Sequence, residues 1–264
     1  MISHFQDSRK MKPSRVTTSS YQVFADYYDR FTKNVSYVSY AKRIDESVMQ
    51  RHKRRGSVVD LGSGTGTLDL LLAKKGYSVT GIDRSLDMLT VADKKLRDAG
   101  LKAAFVRQDM TGFSLPRKAD VIISTLDGIN HLNSQEDVLK TFRRVSKNLR
   151  HGGIFVFDMN TIYKHKNVLG NNCFIFDTDD VYLGWQNDYS VSDNSVLITL
   201  DFFVNGKDGV SRYTESFREK AYPVMKVLGM LIRSGLVPLE IYDGISYKPP
   251  KKTSERVMIV AGKL

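Results

Sequence analysis

Between Ser57 and Met159 short apolar runs alternate with amphipathic stretches of about 10 to 15 residues, and few architectures accept that alternation. The runs are SVVDLG (57–62), SVTGID (78–83), AAFVRQD (103–109), ADVIIS (119–124) and IFVFDM (154–159). Between them the spacing predicts helices over 67–75, 86–99 and 134–149, the last with Val138, Phe142, Val145 and Leu149 on one face. Strands apolar on both faces belong in a parallel sheet covered on both sides. The expected fold class is therefore α/β, a Rossmann-like doubly wound sheet. Ahead of it, Tyr21, Phe24, Tyr28 and Phe31, then Tyr37, Tyr40, Ile44 and Val48, recur at helical spacing and predict two helices.

After Asn160 the pattern changes. FIFD, VYLGWQNDYSV, SVLITLDFFV and VSRYTESFREKAY are rich in aromatic and β-branched residues and joined by polar turns, which predicts an antiparallel meander. A helix over Pro223 to Ser234 and two last strands, VPLEIYD and ERVMIVAGK, return the chain to the core. The expected organisation is a disordered basic tail (1–19), N-terminal helices (20–55), a seven-stranded mostly parallel core (56–160 with 221–264) and an inserted small antiparallel β lid (161–220).

The net charge is +11, and residues 1–56 hold 12 Lys and Arg against 5 Asp and Glu, so the excess belongs to the N-terminus. Two clusters make it: Arg9, Lys10, Lys12 and Arg15, and then Arg51, Lys53, Arg54 and Arg55. They read either as a phosphate-binding patch for RNA or as a solvated tail followed by cations at a helix C-terminus. Residues 167–206 hold six Asp and no Lys or Arg, an acidic surface strip or the acidic mouth of a pocket. Cys173 is the single cysteine, which excludes an internal disulfide and a thiolate zinc cluster. No apolar run approaches the roughly 18 residues of a membrane span, and the first 15 residues lack the apolar stretch of a signal peptide. A cytoplasmic protein without a metal site is expected.

The strongest local signal is VVDLGSGTG, in which Asp60, Gly62, Gly64 and Gly66 stand between a strand and a helix. Glycines there let a ligand approach the backbone and face the helix N-terminal amides. The dinucleotide fingerprint needs its third glycine at 67, where this chain has Thr67. Asp83 ends the second strand, placed for both hydroxyls of a ribose, and Asp109 ends the third at the same carboxyl edge, where open α/β sheets bind ligands. Asp60 could instead cap the following turn, and Asp109 could open a turn before Thr111 and Gly112.

DLGSGTG, GIDRS, RQDM and STLDGINHL stand in the order and spacing of the class I methyltransferases that use S-adenosylmethionine, and residues 56–160 resemble that family. The aromatic insert, YDGISY and the SERVMIVAGK ending resemble a bacterial subgroup of small-molecule or orphan enzymes related to glycine and amino-sugar N-methyltransferases. The resemblance implies S-adenosylmethionine as cofactor. Its methionine part would lie on the backbone of Gly62, Ser63, Gly64 and Gly66, with Asp60 holding the loop or, through water, the amino group. Asp83 would bind the ribose and Arg84 would lie along the adenine. Asp109 and the Met110 amide would meet the adenine's polar edge, and Leu126 would sit near the sulfonium.

Methyl transfer from a sulfonium is an in-line displacement that placement can largely catalyse, though a protonated amine or a hydroxyl acceptor benefits from a base. Asp127, Asn130 and His131 lie just beyond the fourth strand, where the acceptor would be. Asp127 is the preferred base, and His131 is either a second one or a capping residue before Ser134. Tyr28 and Tyr37 would close over the cofactor as aromatic lids, or belong to a packed stripe. Leu86 and Met88 face adenine or core. Trp185, Tyr182, Tyr189, Phe202 and Phe203 line an acceptor pocket, which the acidic strip would bias towards an amine, or pack the lid. The expected activity is methyl transfer to a small molecule, with an amine as the favoured acceptor. The alternatives are an RNA or ribosomal acceptor reached through the basic N-terminus, a nicotinamide-dependent oxidoreductase, and a non-catalytic cofactor-binding protein. The oligomeric state is left open.

Overall fold

The computed structural model describes residues 15–17, 22–206 and 209–264. In chain order the elements are β1 (Arg15–Thr17), α1 (Gln22–Phe31), α2 (Tyr37–His52), β2 (Ser57–Leu61), α3 (Thr67–Lys74), β3 (Ser78–Asp83), α4 (Leu86–Asp98), β4 (Ala104–Arg107), β5 (Ala119–Ser124), α5 (Gln135–Asn148) and β6 (Leu149–Asn160). A π-helical turn (Lys164–Leu169) leads to β7 (Cys173–Asp177), β8 (Val181–Ser190), β9 (Ser195–Gly206) and β10 (Gly209–Lys220), then α6 (Val224–Arg233), β11 (Val237–Asp243) and β12 (Arg256–Gly262).

Among the described residues the core sheet has seven strands in the order β11-β12-β6-β5-β2-β3-β4. The five from β6 to β4 are parallel, and β12 and β11 add antiparallel pairings at one edge. Its two faces carry separate clusters because side chains alternate along each strand. Val59, Ile122, Phe155 and Phe157 pack against α5 and α6, whereas Val58, Val121, Ile154 and Val156 pack under α2 and α3. Parallel strands buried on both faces produce the uninterrupted apolar runs read in the sequence. Local signals start two of the helices: the Ser85 hydroxyl caps α4 through Met88 N, and the Ser134 hydroxyl caps α5 through Asp137 N.

The second sheet runs β1-β10-β9-β8-β7, with β7 to β10 an antiparallel meander. Its edge differs from expectation: Arg15–Thr17, assigned to a disordered tail, pair in parallel with Arg212–Thr214 of β10. A three-residue strand is too short to leave a period, and it forms because β10 offers it an edge of unpaired backbone groups. Arg9, Lys10, Lys12 and Tyr21 lie outside the described residues, as does the rest of the expected tail.

Helix α1 joins the two layers. Ala25 shares a buried cluster with Met88 of α4 and with Leu183, Ile198 and Phe202 of the second sheet. Phe31 contacts the rings of Phe176 and Phe202, and Arg30 pairs with Asp180 at 2.6 Å. No helix among the described residues is long and apolar enough to cross a membrane.

Candidate functional site

The loop between β2 and α3 carries three glycines with left-handed backbones: Gly62 at φ 81°, Gly64 at 54° and Gly66 at 71°. Other residues pay strain there. Gly66 is also sterically required, since a Cβ on it would lie 2.7 Å from Ala92 Cβ of α4. Gly64 has no atom within 4 Å of an added Cβ, so its backbone is open to a ligand. A cavity follows the loop, lined by Tyr28, Tyr37, Asp60, Gly62, Ser63, Gly64, Thr65, Thr67, Leu68, Thr125 and Leu126.

Asp83 faces this loop from the end of β3. Its Oδ2 accepts from Gly64 N at 2.9 Å and its Oδ1 from Ser85 N at 2.9 Å, which holds the loop and the start of α4 together. A carboxylate has about four acceptor positions, so further bonds remain available. Arg84 is exposed and lies 3.4 Å from Asp109 Oδ2. Asp109 accepts from Thr111 N and Thr111 Oγ1, the turn alternative read in the sequence. Burial pushes its carboxyl up, but the Thr111 bonds and the Arg84 charge outweigh this and hold it below the usual carboxylate range. Met110 approaches the loop with its methyl 3.8 Å from an added Gly62 Cβ. Leu86 is exposed, while Met88 is buried in the cluster beneath the second sheet.

Two residues the sequence reading passed over complete the floor and roof. Asp69, in the first turn of α3, is fully buried, accepts from Ser63 Oγ at 2.5 Å and lies within hydrogen-bonding reach of the buried Asp60. Asp60 Oδ1 and Asp69 Oδ1 find no donor among the described residues. Burial raises both acids, Asp69 to about 7 and Asp60 well above its usual value, where Asp69 and Asp83 also repel its charge. The signal for Asp69 was an acid on the buried side of α3, beside Leu68 and Leu72. Asp29 of α1 forms the roof: its Oδ1 accepts from Thr65 Oγ1 at 2.7 Å and Thr67 Oγ1 at 3.1 Å, and its Oδ2 meets Lys95 Nζ at 2.6 Å. Sequence patterning had no means of pairing Asp29 with Thr65 across 36 positions.

Carboxyls raised this way make the folded state bind protons that the unfolded chain has already released, so their stabilisation is full below about pH 4 and is lost as pH rises through about 7. Asp69→Asn is therefore expected to be more stable than the parent at pH 8, by roughly 2 kcal/mol or more, with the gap closing towards pH 4. Urea unfolding at both pH values measures it, and an equal or lower stability at pH 8 would contradict the assignment.

Beyond β5 the backbone is strained, with Leu126 at φ 55° and Asp127 at 71°. An ion-pair network holds it. Arg256 Nη2 pairs with Asp127 Oδ1, and Arg256 Nη1 donates to Asp158 Oδ1 at 3.0 Å. Asp127 N donates to Asp158 Oδ1 at 3.2 Å, and Tyr40 OH donates to Asp158 Oδ2 at 2.6 Å. Burial pushes the Asp127 carboxyl up, but the Arg256 guanidinium outweighs it and holds the group below its ordinary value. Such a carboxylate is a poor proton acceptor, which weighs against the base role expected for Asp127.

His131, half-buried after the same loop, lies with its ring 5.2 Å from Phe217 and its Nε2 4.0 Å from Glu219 Oε1 of β10. Glu219 is buried, and its Oε2 accepts from Asn160 Nδ2 at 3.1 Å and lies 3.5 Å from His165 Nε2. The second sheet thus delivers a carboxylate to the carboxyl edge of the first. Among the described residues no group of three or more His, Cys, Asp or Glu is arranged to hold a metal.

The acidic strip does not form a mouth. Asp180, Asp193 and Asp201 pair with Arg30, Lys220 and Arg212, and Asp177, Asp179 and Asp188 are exposed. Phe202 is buried as packing, and Trp185 and Tyr189 pack on the same cluster. Tyr182 meets Phe203 edge to face with 39% of its surface exposed. The second basic cluster is largely neutralised, with Arg51 on Glu240, Arg55 on Asp45 and Arg54 4.0 Å from Asp120.

The family described as "Methyltransferase domain" matches residues 58–153. Bacillus subtilis YqeM, named as a methyltransferase, is 30% identical over 246 residues, 92% of this chain and 97% of that one. An S-adenosylmethionine-dependent methyltransferase from Clostridium acetobutylicum superposes with a TM-score of 0.84 at 33% identity, covering 92% of this chain and 98% of its own. A Streptomyces venezuelae protein named dTDP-3-amino-3,4,6-trideoxy-alpha-D-glucopyranose N,N-dimethyltransferase is 31% identical over 136 residues, 51% of this chain and 56% of that one.

Proposed function

The chain belongs to the class I S-adenosylmethionine-dependent methyltransferases, and from that premise we propose that it methylates a small-molecule amine bound between the carboxyl edge of the core sheet and the second sheet. The residues present fit the cofactor: an open glycine backbone at Gly64, an acid at the end of β3 and two buried carboxyl oxygens without donors beneath the loop. Gly62, Ser63, Gly64 and Gly66 would hold its methionine part with Asp60, and Asp83 its ribose. Arg84, Asp109 and Met110 would border its adenine, and Leu126 would lie near its sulfur. When bound, it supplies an electrophilic methyl on an activated leaving group.

The observation that carries the acceptor reading is His131 backed by the buried Glu219. An amine acceptor reaches the site protonated at neutral pH and must lose a proton before its lone pair can attack. His131 takes that proton, and Glu219 orients the ring and offers opposite charge to the imidazolium that forms. Asp127, paired with Arg256, fixes the strained loop instead of accepting the proton. Tyr28 and Tyr37, both on the cavity wall, exclude water from the reacting centre. The amino-sugar enzyme among the relatives supports an amine on a small molecule as the acceptor class.

The test is a panel of amino sugars and small amines incubated with S-adenosylmethionine, with S-adenosylhomocysteine release measured against hydroxyl analogues. Release confined to amines is expected. With the amine found, His131→Ala should lower kcat about 100-fold at pH 7 and much less at pH 9, where the free amine needs no base. Turnover of hydroxyl compounds alone, or a His131→Ala deficit independent of pH, would overturn the reading.

A further inference from the structure

Two acids under the glycine loop are joined in a way that a simple cofactor contact does not require. Asp60 leaves β2 and Asp69 opens α3, both are shut off from solvent, and each presents an Oδ1 that no donor meets among the described residues. The two carboxyls stand within hydrogen-bonding reach of each other. Two ionised carboxylates cannot remain in contact in a dry site, because neither desolvation nor repulsion is offset. Something positive must lie between them.

Among the described residues no cationic side chain bonds to either acid. From α4, the Lys95 charge favours ionisation of Asp69 through space, but its ammonium is bonded to Asp29 Oδ2 and Thr67 Oγ1. From β3, Asp83 adds negative charge, and from β6 so does Asp158, whose own partner is Arg256. Ser63 Oγ donates a hydrogen bond to Asp69 Oδ2 but carries no charge. Tyr28 of α1 and Tyr37 of α2 line the same cavity, and burial keeps the Tyr37 phenol in its neutral form. Asp29 is turned to Thr65, Thr67 and Lys95.

We propose that Asp60 and Asp69 share a proton beneath the loop, and that the ammonium of the cofactor's methionine part displaces it, so that cofactor binding is coupled to proton release. This deepens the assignment of the crevice to the cofactor and rests on it. The balance is simple. The carboxylic O–H bond breaks, its proton leaves to the buffer, and Asp60, which lines the cavity, accepts a hydrogen bond from the incoming ammonium, whose positive charge offsets the Asp69 carboxylate buried beneath. Asp69 thereby sets the pH range over which the enzyme takes up its cofactor.

The experiment is calorimetric titration of the full chain with S-adenosylhomocysteine at pH 5.5, 6.0 and 6.5, each in two buffers of different ionisation enthalpy. The ligand's amino group stays protonated throughout this range. Close to one proton released per molecule bound is expected, with affinity rising about tenfold from pH 5.5 to 6.5. In Asp69→Asn the release should fall towards zero and the affinity should become flat with pH. Binding by the parent with no proton release overturns the shared proton, and so does undiminished release in Asp69→Asn. Should that variant fail to fold, the parent's buffer comparison decides alone. Absence of binding at every pH would instead remove the cofactor assignment on which the proposal rests.

Discussion

Arg256→Met is expected to destabilise the protein by about 3 to 5 kcal/mol, the range for removing one partner from a buried ion pair. Arg256 is the positive centre of a cluster that otherwise holds Asp127, the fully buried Asp158 and the phenol of Tyr40. Burial and the neighbouring Asp127 charge already push the Asp158 carboxyl up, with Arg256 opposing them. Without the guanidinium one of the two acids must take up a proton or remain charged in a dry site. The consequence has a pH signature. The Asp127 carboxyl is held below its ordinary value in the folded state, so its stabilisation is present above about pH 4 and is lost as pH falls through the folded value. The Arg256→Met deficit should therefore be full at pH 7 and shrink in acid. Urea unfolding at pH 7 and pH 3 checks both statements, and a deficit below about 1 kcal/mol at pH 7 would show the network to be dispensable. Adding Asp127→Asn to Arg256→Met should recover part of the loss, since one orphaned charge disappears.

The second large effect concerns Asp83. Asp83→Ala should weaken S-adenosylhomocysteine binding about 10 to 150-fold, which corresponds to roughly 1.5 to 3 kcal/mol for charge-assisted bonds. In the protein alone this carboxylate already ties Gly64 N to Ser85 N, so the variant loses the loop's anchor as well as the group assigned to the ribose. Asp83→Asn separates the two contributions, because it keeps one carbonyl acceptor for the loop but no charge. An intermediate loss is expected for it. A change under threefold in Asp83→Ala, measured by calorimetry, would move the ribose away from the end of β3.

Strand and helix positions in the core were legible because they rest on periods confined to one element. The glycine loop was legible because left-handed backbones demand particular residues at particular places. Ser134 marked the start of its helix for a similar reason, its hydroxyl bonding within the first turn of α5. Arg15–Thr17 did not, since the partner that makes them a strand lies almost 200 positions away in β10.

The site divides along the same line. Asp60, Gly62, Gly64, Gly66 and Asp83 could be read from VVDLGSGTG and GID, where neighbouring residues in the chain are neighbours in space. Asp69 could be seen only as an acid on a buried helix face, and its contact with Asp60 required the packing of α3 under the loop. The place of Asp127 after β5 suggests a base, but its pairing with Arg256 is a contact across 129 positions that only the antiparallel docking of β12 on β6 creates. Glu219 reaches His131 by the same means, carried there by a strand of the second sheet. What the sequence by itself determined was the α/β core, the glycine loop and the acid at the end of the next strand, because those depend on spacing within short segments. The tertiary structure alone decided which carboxylates are paired with cations and which are buried without a donor, because charge state is set by whichever groups distant segments bring within a few ångströms.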